Sequence, residues 1–95
     1  MIHTVTVGLA PAEILARAKT FFAERVPNAS AFVEREGPSF VALRGQGGEE
    51  VVINARPVDA EAGGRSQVRA STLFFDQALD RFFSTLPLES AVDVA

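Results

Sequence analysis

Hydrophobic and polar positions alternate from the second residue. His3, Val5 and Val7 fall on one side of an extended segment and Ile2, Thr4 and Thr6 on the other, which predicts a strand over residues 2–7. Gly8-Leu9-Ala10-Pro11 interrupts the alternation. Pro11 suits the first turn of a helix and Glu13 the positive end of its dipole. Ile14, Leu15, Ala18, Phe21 and Phe22 then recur at helical spacing, so a helix is expected over residues 11–25, with Glu13 and Arg17 paired four apart on its wet side. Pro27 and Asn28 should end it. Four further strands are expected over 31–36, 40–44, 50–58 and 65–71, separated by Gly37-Pro38, by Gly45-Gln46-Gly47-Gly48 and by the segment 59–64. The last element is a helix over 73–86, with Phe75, Ala78, Leu79, Phe82, Phe83 and Leu86 in one stripe and Pro87 as its stop.

The order β-α-β-β-β-β-α predicts an α+β fold, an antiparallel sheet with two helices packed on one face. Residues 1–88 form the expected single domain. Residues 89–95 lack periodicity and read as a disordered tail. If Gly37-Pro38 and Gly47-Gly48 are two-residue turns, Val33 pairs with Ala42, Ala42 with Ile53 and Ile53 with Ala70. That register puts Phe40, Val51, Ala55 and Val68 on the covered face, together with Arg35 and Arg44 near strand ends. It leaves Phe32, Leu43 and Val52 as a row on the outer face, with Val41 beside them and Glu34, Glu36, Asn54, Arg56, Gln67, Arg69 and Ser71 around. An open sheet facing water should be polar there, so the row reads as an interface.

Composition narrows the function classes. Of 95 residues, 47% are hydrophobic and 22% charged, which a disordered chain would not show. A net charge of −3 disfavours nucleic acid and acidic membranes, since both require surplus positive charge. Without cysteine, disulfides, thiol catalysis and zinc–thiolate sites are excluded. All aromatic side chains are phenylalanines, eight of them, and Phe lacks the polar tip that suits Trp and Tyr to recognition. No stretch is long and apolar enough to span a membrane, and no signal sequence is evident, so a cytoplasmic location is expected. Asn28-Ala29-Ser30 is read as a chance match to a glycosylation acceptor.

The strand at 2–7, the helix at 12–23, the hairpins and the final helix together resemble the repeat unit of the TATA-binding protein fold in a single copy. The same layout resembles a reduced helix-grip (START-like, SRPBCC) module and is similar to small proteins of the polyhydroxyalkanoic acid system family. The helix-grip resemblance implies an apolar ligand held between sheet and C-terminal helix. The final helix here is shorter than in that family, and the family's extra elements after the first helix are missing. The resemblance covers nearly the whole chain as topology, and no family residue role is carried over.

His3, the only histidine, is the one residue around which a Ser-His-Asp triad could be built, and an edge or partly exposed strand histidine is the plainer reading. A metal site would need Asp and Glu to converge, and the nearest clusters are Glu34/Glu36 and Glu49/Glu50, which read as solvated faces. Gly45-Gln46-Gly47-Gly48 joins two strands and reads as a hairpin turn, not a phosphate loop. No residue is assigned as catalytic, cofactor-binding or metal-ligating, and no cofactor is expected. The expectation is a non-enzymatic interaction module, a homo-oligomer or a partner-docking protein. Its interface is Phe32, Val41, Leu43, Val52, Asn54, Arg56 and Arg69. The alternative is an apolar small-molecule binder with Phe21, Phe22, Phe40, Phe75, Phe82 and Phe83 as pocket walls. A third reading, nucleic-acid contact, rests on Arg56 and Arg69 beside Asn54 and Gln67, against simple cross-strand pairing with Glu34 and Glu36.

Overall fold

In the computed structural model, which describes residues 1–26, 31–58 and 64–95, the chain runs β1 (Ile2–Val7), α1 (Pro11–Glu24), β2 (Ala31–Glu36), β3 (Phe40–Gly45), β4 (Glu50–Pro57), β5 (Ser66–Thr72), α2 (Asp76–Ser84) and β6 (Asp93–Val94). The strands form one antiparallel sheet in the order β2-β3-β4-β5-β1-β6, an α+β layout. Pro11 opens α1 with Glu13 in its first turn, and Arg17 Nε donates to Glu13 Oε1 at 3.2 Å. The ends expected at Pro27-Asn28, the Asn28-Ala29-Ser30 sequence and most of the 59–64 turn lie outside the described residues.

Both helices cover the same face of the sheet. Their buried stripes, Ile14, Leu15, Ala18, Phe21 and Phe22 from α1 and Ala78, Leu79, Phe82 and Phe83 from α2, join one core with Val5, Val7, Val41, Leu43, Val51, Ile53, Ala55, Val68 and Ala70 of the sheet. Ring centroids of Phe21–Phe82, Phe21–Phe22, Phe22–Phe75 and Phe82–Phe83 lie 5.3, 5.4, 5.8 and 5.9 Å apart in tilted and edge-on pairs, the range aromatic rings prefer. Small residues of the sheet, Ala55 and Ala70, face this aromatic layer.

The register of β3 differs from the sequence expectation by one residue. Gly45 N–H donates to Glu49 O at 2.7 Å, and Gln46, Gly47 and Gly48 form the turn between them, one residue more than the assumed two. Gly48 sits at φ +90°, which an L side chain rarely adopts. The longer turn pairs Leu43 with Val51 and Val41 with Ile53. Val41 and Leu43 therefore belong to the covered face, 1% and 0% exposed, and the apolar outer row loses two of its four members. Ala42 takes the outer face between Arg35 and Val52, and Phe40 stands opposite Asn54.

A second shift lies in β2. A bulge between Val33 and Arg35 leaves Val33 opposite Leu43 but Arg35 opposite Ala42. Arg35 and Arg44 are consequently on the outer face, not the covered one. Glu36 turns the other way and meets Lys19 of α1, Nζ to Oε1 at 3.0 Å.

Residues 89–95 are the third correction, since they are laid along β1. Glu89 N–H donates to Thr6 O at 2.8 Å, and Ile2 and Ala95 exchange both backbone bonds at 3.0 and 2.8 Å. Arg65 Nε holds Glu89 Oε1 at 2.7 Å. The pairing gives β1 a neighbour on its open side, where periodicity could not have signalled a strand of two residues.

Candidate interaction surface

The outer face of the sheet divides into three zones. Toward the β2 edge lies an ion cluster. Arg44 donates to both carboxylate oxygens of Glu34, to Glu50 Oε2 at 3.0 Å and to Gly48 O at 2.7 Å, and Arg35 stands 3.6 Å from Glu50. The Arg44 hydrogen bond holds the Glu34 carboxyl below the usual carboxylate range, and the same contact raises Arg44. Opposite charges are matched here, so the zone offers little to a charged ligand. Phe32 lies opposite Arg44 at the edge, 56% exposed.

The second zone is an apolar corner where β5 runs into α2. The helix begins at Asp76, three residues later than the expected 73, because Thr72 organises the entry. Its Oγ1 donates to Glu50 O at 2.9 Å and accepts from the amides of Phe74 and Phe75 at 3.2 and 3.0 Å. Phe75 is turned into the core and Leu73 and Phe74 outward, 97% and 65% exposed. Phe74 packs edge-on against Phe75 at 5.6 Å. Leu73 and Phe74 line a hollow of about 410 Å³ together with Gly48, Glu49, Glu50, Val52, Ser71 and Thr72.

The third zone is a polar depression over β4, β5 and β1, about 650 Å³ in volume and lined by Thr4, Ser39, Asn54, Ala55, Arg56, Gln67 and Arg69. Pairing sets Asn54 opposite Arg69, Arg69 opposite Thr4, and Arg56 opposite Gln67. Arg56 Nη2 donates to Gln67 Oε1 at 3.0 Å. Among the described residues no carboxylate forms an ion pair with Arg56 or Arg69. The pairing with Glu34 and Glu36 considered above does not form, since those carboxylates are held by Arg44 and Lys19.

Of the seven interface residues read from the sequence, Phe32, Val52, Asn54, Arg56 and Arg69 are thus on the outer face, and Val41 and Leu43 are in the core. Of the six pocket residues, Phe21, Phe22, Phe75, Phe82 and Phe83 are buried against one another and fill the space between sheet and helices. Phe40 is half-buried at the end of β3, beside Gly37. A shallow groove of about 350 Å³ runs outside the helices past Glu13, Arg17, Phe21 and Phe82.

Leu73 and Phe74 were missed as surface residues because they are two of three consecutive apolar positions, with Phe75 the third. The signal was present, though. The stripe Phe75, Ala78, Leu79, Phe82, Phe83 excludes both, and Thr72 and Asp76 mark a helix entry between them.

His3 is not partly exposed but buried, 2% accessible, beneath Phe83. Its Nε2 lies 2.8 Å from Asp76 Oδ1. A carboxylate accepts only, so Nε2 carries the proton. Nδ1 has no hydrogen-bond partner among the described residues and is 3.7 Å from Asp80 Oδ1. Asp76 also faces the Met1 ammonium at 3.5 Å. The pair joins the first strand to the start of α2 rather than opening onto a cleft. Among the described residues no three His, Asp or Glu side chains group as metal ligands, and no helix is long and apolar enough to cross a membrane.

Comparison with protein-family models, with curated proteins and with solved structures returned no match, so the resemblances stated for the sequence rest on element order.

Proposed function

We propose that this protein is a non-enzymatic interaction module that self-associates through the apolar corner of its outer sheet face. One observation carries the reading: an almost fully exposed Leu73 and an exposed Phe74 form one wall of a hollow that Val52 also lines. A knob flanked by its own hollow is self-complementary under a two-fold axis, where each copy inserts its leucine beside the other's. The corner is held in shape by the three hydrogen bonds of Thr72, so little conformational entropy remains to be lost on docking. Leaving Leu73 and Phe74 in water has no folding benefit, and pairing them removes apolar surface at about 25 cal/mol per Å². The helix-grip alternative has less support, because the phenylalanines that would line its cavity occupy it.

Sedimentation equilibrium across the micromolar to millimolar range tests the proposal. A reversible dimer is expected for the wild type, and Leu73→Asp is expected to be a monomer with unchanged circular dichroism. Phe32→Glu, across the ion cluster, should leave the dimer intact. A wild-type monomer throughout, or a dimer that survives Leu73→Asp, overturns it.

A further inference from the structure

We infer that the polar depression on the outer face is a binding site for a small phosphate monoester, independent of the apolar corner. Its two guanidiniums carry the argument. Arg56 faces Gln67 across the β4–β5 pair and Arg69 is two positions along β5, a diagonal relation. Diagonal neighbours in an antiparallel pair are about 7–8 Å apart at the backbone, within reach of two arginine side chains converging on one anion. Gln67 accepts from Arg56 Nη2, which fixes that guanidinium while leaving its other donors for a ligand. Asn54, Ser39 and Thr4 add neutral donors around the same depression.

Charge selects the ligand class. Two arginines without carboxylate partners among the described residues present two positive charges, which a phosphate monoester of about −1.5 to −2 neutralises. Arginine forks also match phosphate geometry in bidentate fashion. The neighbouring Arg35 and Arg44 are already matched by Glu34 and Glu50, so among the described residues the positive charge of this face left without an ion pair is that of Arg56 and Arg69 over β4 and β5. Among the described residues, Asp93 is the carboxylate that strand pairing brings nearest to Arg69, opposite Thr4 and so two strands away. At about 4.8 Å per strand that is roughly 10 Å, where solvent screening is substantial. A volume of about 650 Å³ is within the range of small-molecule sites, and that favours a small ligand as the source of the phosphate.

An amide-resolved NMR titration at low ionic strength with phenyl phosphate tests the inference, with acetate and a phosphoserine peptide as the other arms. Saturable shifts at Thr4, Asn54, Gln67 and Arg69 are expected. Arg56→Gln and Arg69→Gln should each weaken binding about tenfold, as loss of a charge-assisted hydrogen bond does. Both residues are exposed, so the variants keep the wild-type fold, which the same spectra report. Absence of saturable shifts up to about 10 mM, a range that covers weak millimolar sites, overturns the site. So does unaltered binding by both variants. Equal affinity for acetate overturns the phosphate assignment, and a phosphoserine peptide that binds more tightly than phenyl phosphate overturns the small-molecule source.

Discussion

Truncating Leu43 tests the strand register on which the whole surface depends. Leu43 is 0% exposed and pairs with Val51 inside the aromatic core, so Leu43→Ala removes buried methyl groups and leaves a cavity. Buried leucines of this kind lose about 2–5 kcal/mol on truncation. Against a total of about 5–15 kcal/mol for a small domain, that is a large fraction. With a shift of about 4–8 °C per kcal/mol, a 3 kcal/mol loss lowers Tm by roughly 12–24 °C. Phe32→Ala is the internal reference, since Phe32 is 56% exposed at the edge and should change stability by less than about 1 kcal/mol. Urea unfolding with unchanged m values reads both. If β3 had the register of a two-residue turn, Leu43 would face water and the two substitutions would cost alike. A Leu43→Ala loss below about 1 kcal/mol would refute the observed pairing and with it the three-zone description of the outer face.

Two further outcomes follow from other parts of the fold. The His3 hydrogen bond holds the Asp76 carboxyl below its usual range, burial opposing this and the Met1 ammonium adding to it. Because the folded-state value is depressed, the folded chain binds fewer protons, and the stabilisation is complete above the unfolded-state value and disappears as pH falls through the folded one. Asp76→Asn should therefore be less stable than wild type at neutral pH and converge with it in acid. Urea curves at the two extremes check this, and a pH-independent gap would contradict it. Thr72→Val removes the bond to Glu50 O and leaves the amides of Phe74 and Phe75 without their acceptor, at a cost of about 1–3 kcal/mol. Hydrogen exchange at Phe74 and Phe75 should accelerate and self-association weaken, with Thr72→Ser restoring both.

Much of the architecture was legible in the chain because two periods separate cleanly. Period two at Val5 and Val7 and at Val51, Ile53 and Ala55, and period 3.6 in the two phenylalanine stripes, each point to one core face. Turn length was not legible. Nothing in Gly45-Gln46-Gly47-Gly48 states whether two or three residues span the gap, and that single residue decided whether Val41 and Leu43 face a partner or the core. The bulge after Val33 is equally silent in the sequence, and it moved Arg35 outward and Glu36 toward α1. Residues 89–95 carried no pattern because their order comes chiefly from backbone pairing with β1, with Val92 the one side chain among them packed against the core. For the surface, Asn54, Arg56 and Arg69 were readable as a group, while Leu73 and Phe74 were absorbed into a helix that starts only at Asp76.

The position of β1 in the sheet has a consequence for how the chain reaches this state. Its hydrogen-bonded neighbours are β5 and β6, so this strand is synthesised well before the segments that it pairs with. Val5 and Val7 remain without their sheet partners until Ser66–Thr72 has emerged, and the open side of β1 closes only when residues 89–95 arrive. The local hairpins β2-β3 and β3-β4 can form early, whereas these terminal closures span most of the chain and carry the largest loop entropy. A nascent chain halted before β5 leaves Val5 and Val7 without the strand that covers their backbone in the finished fold.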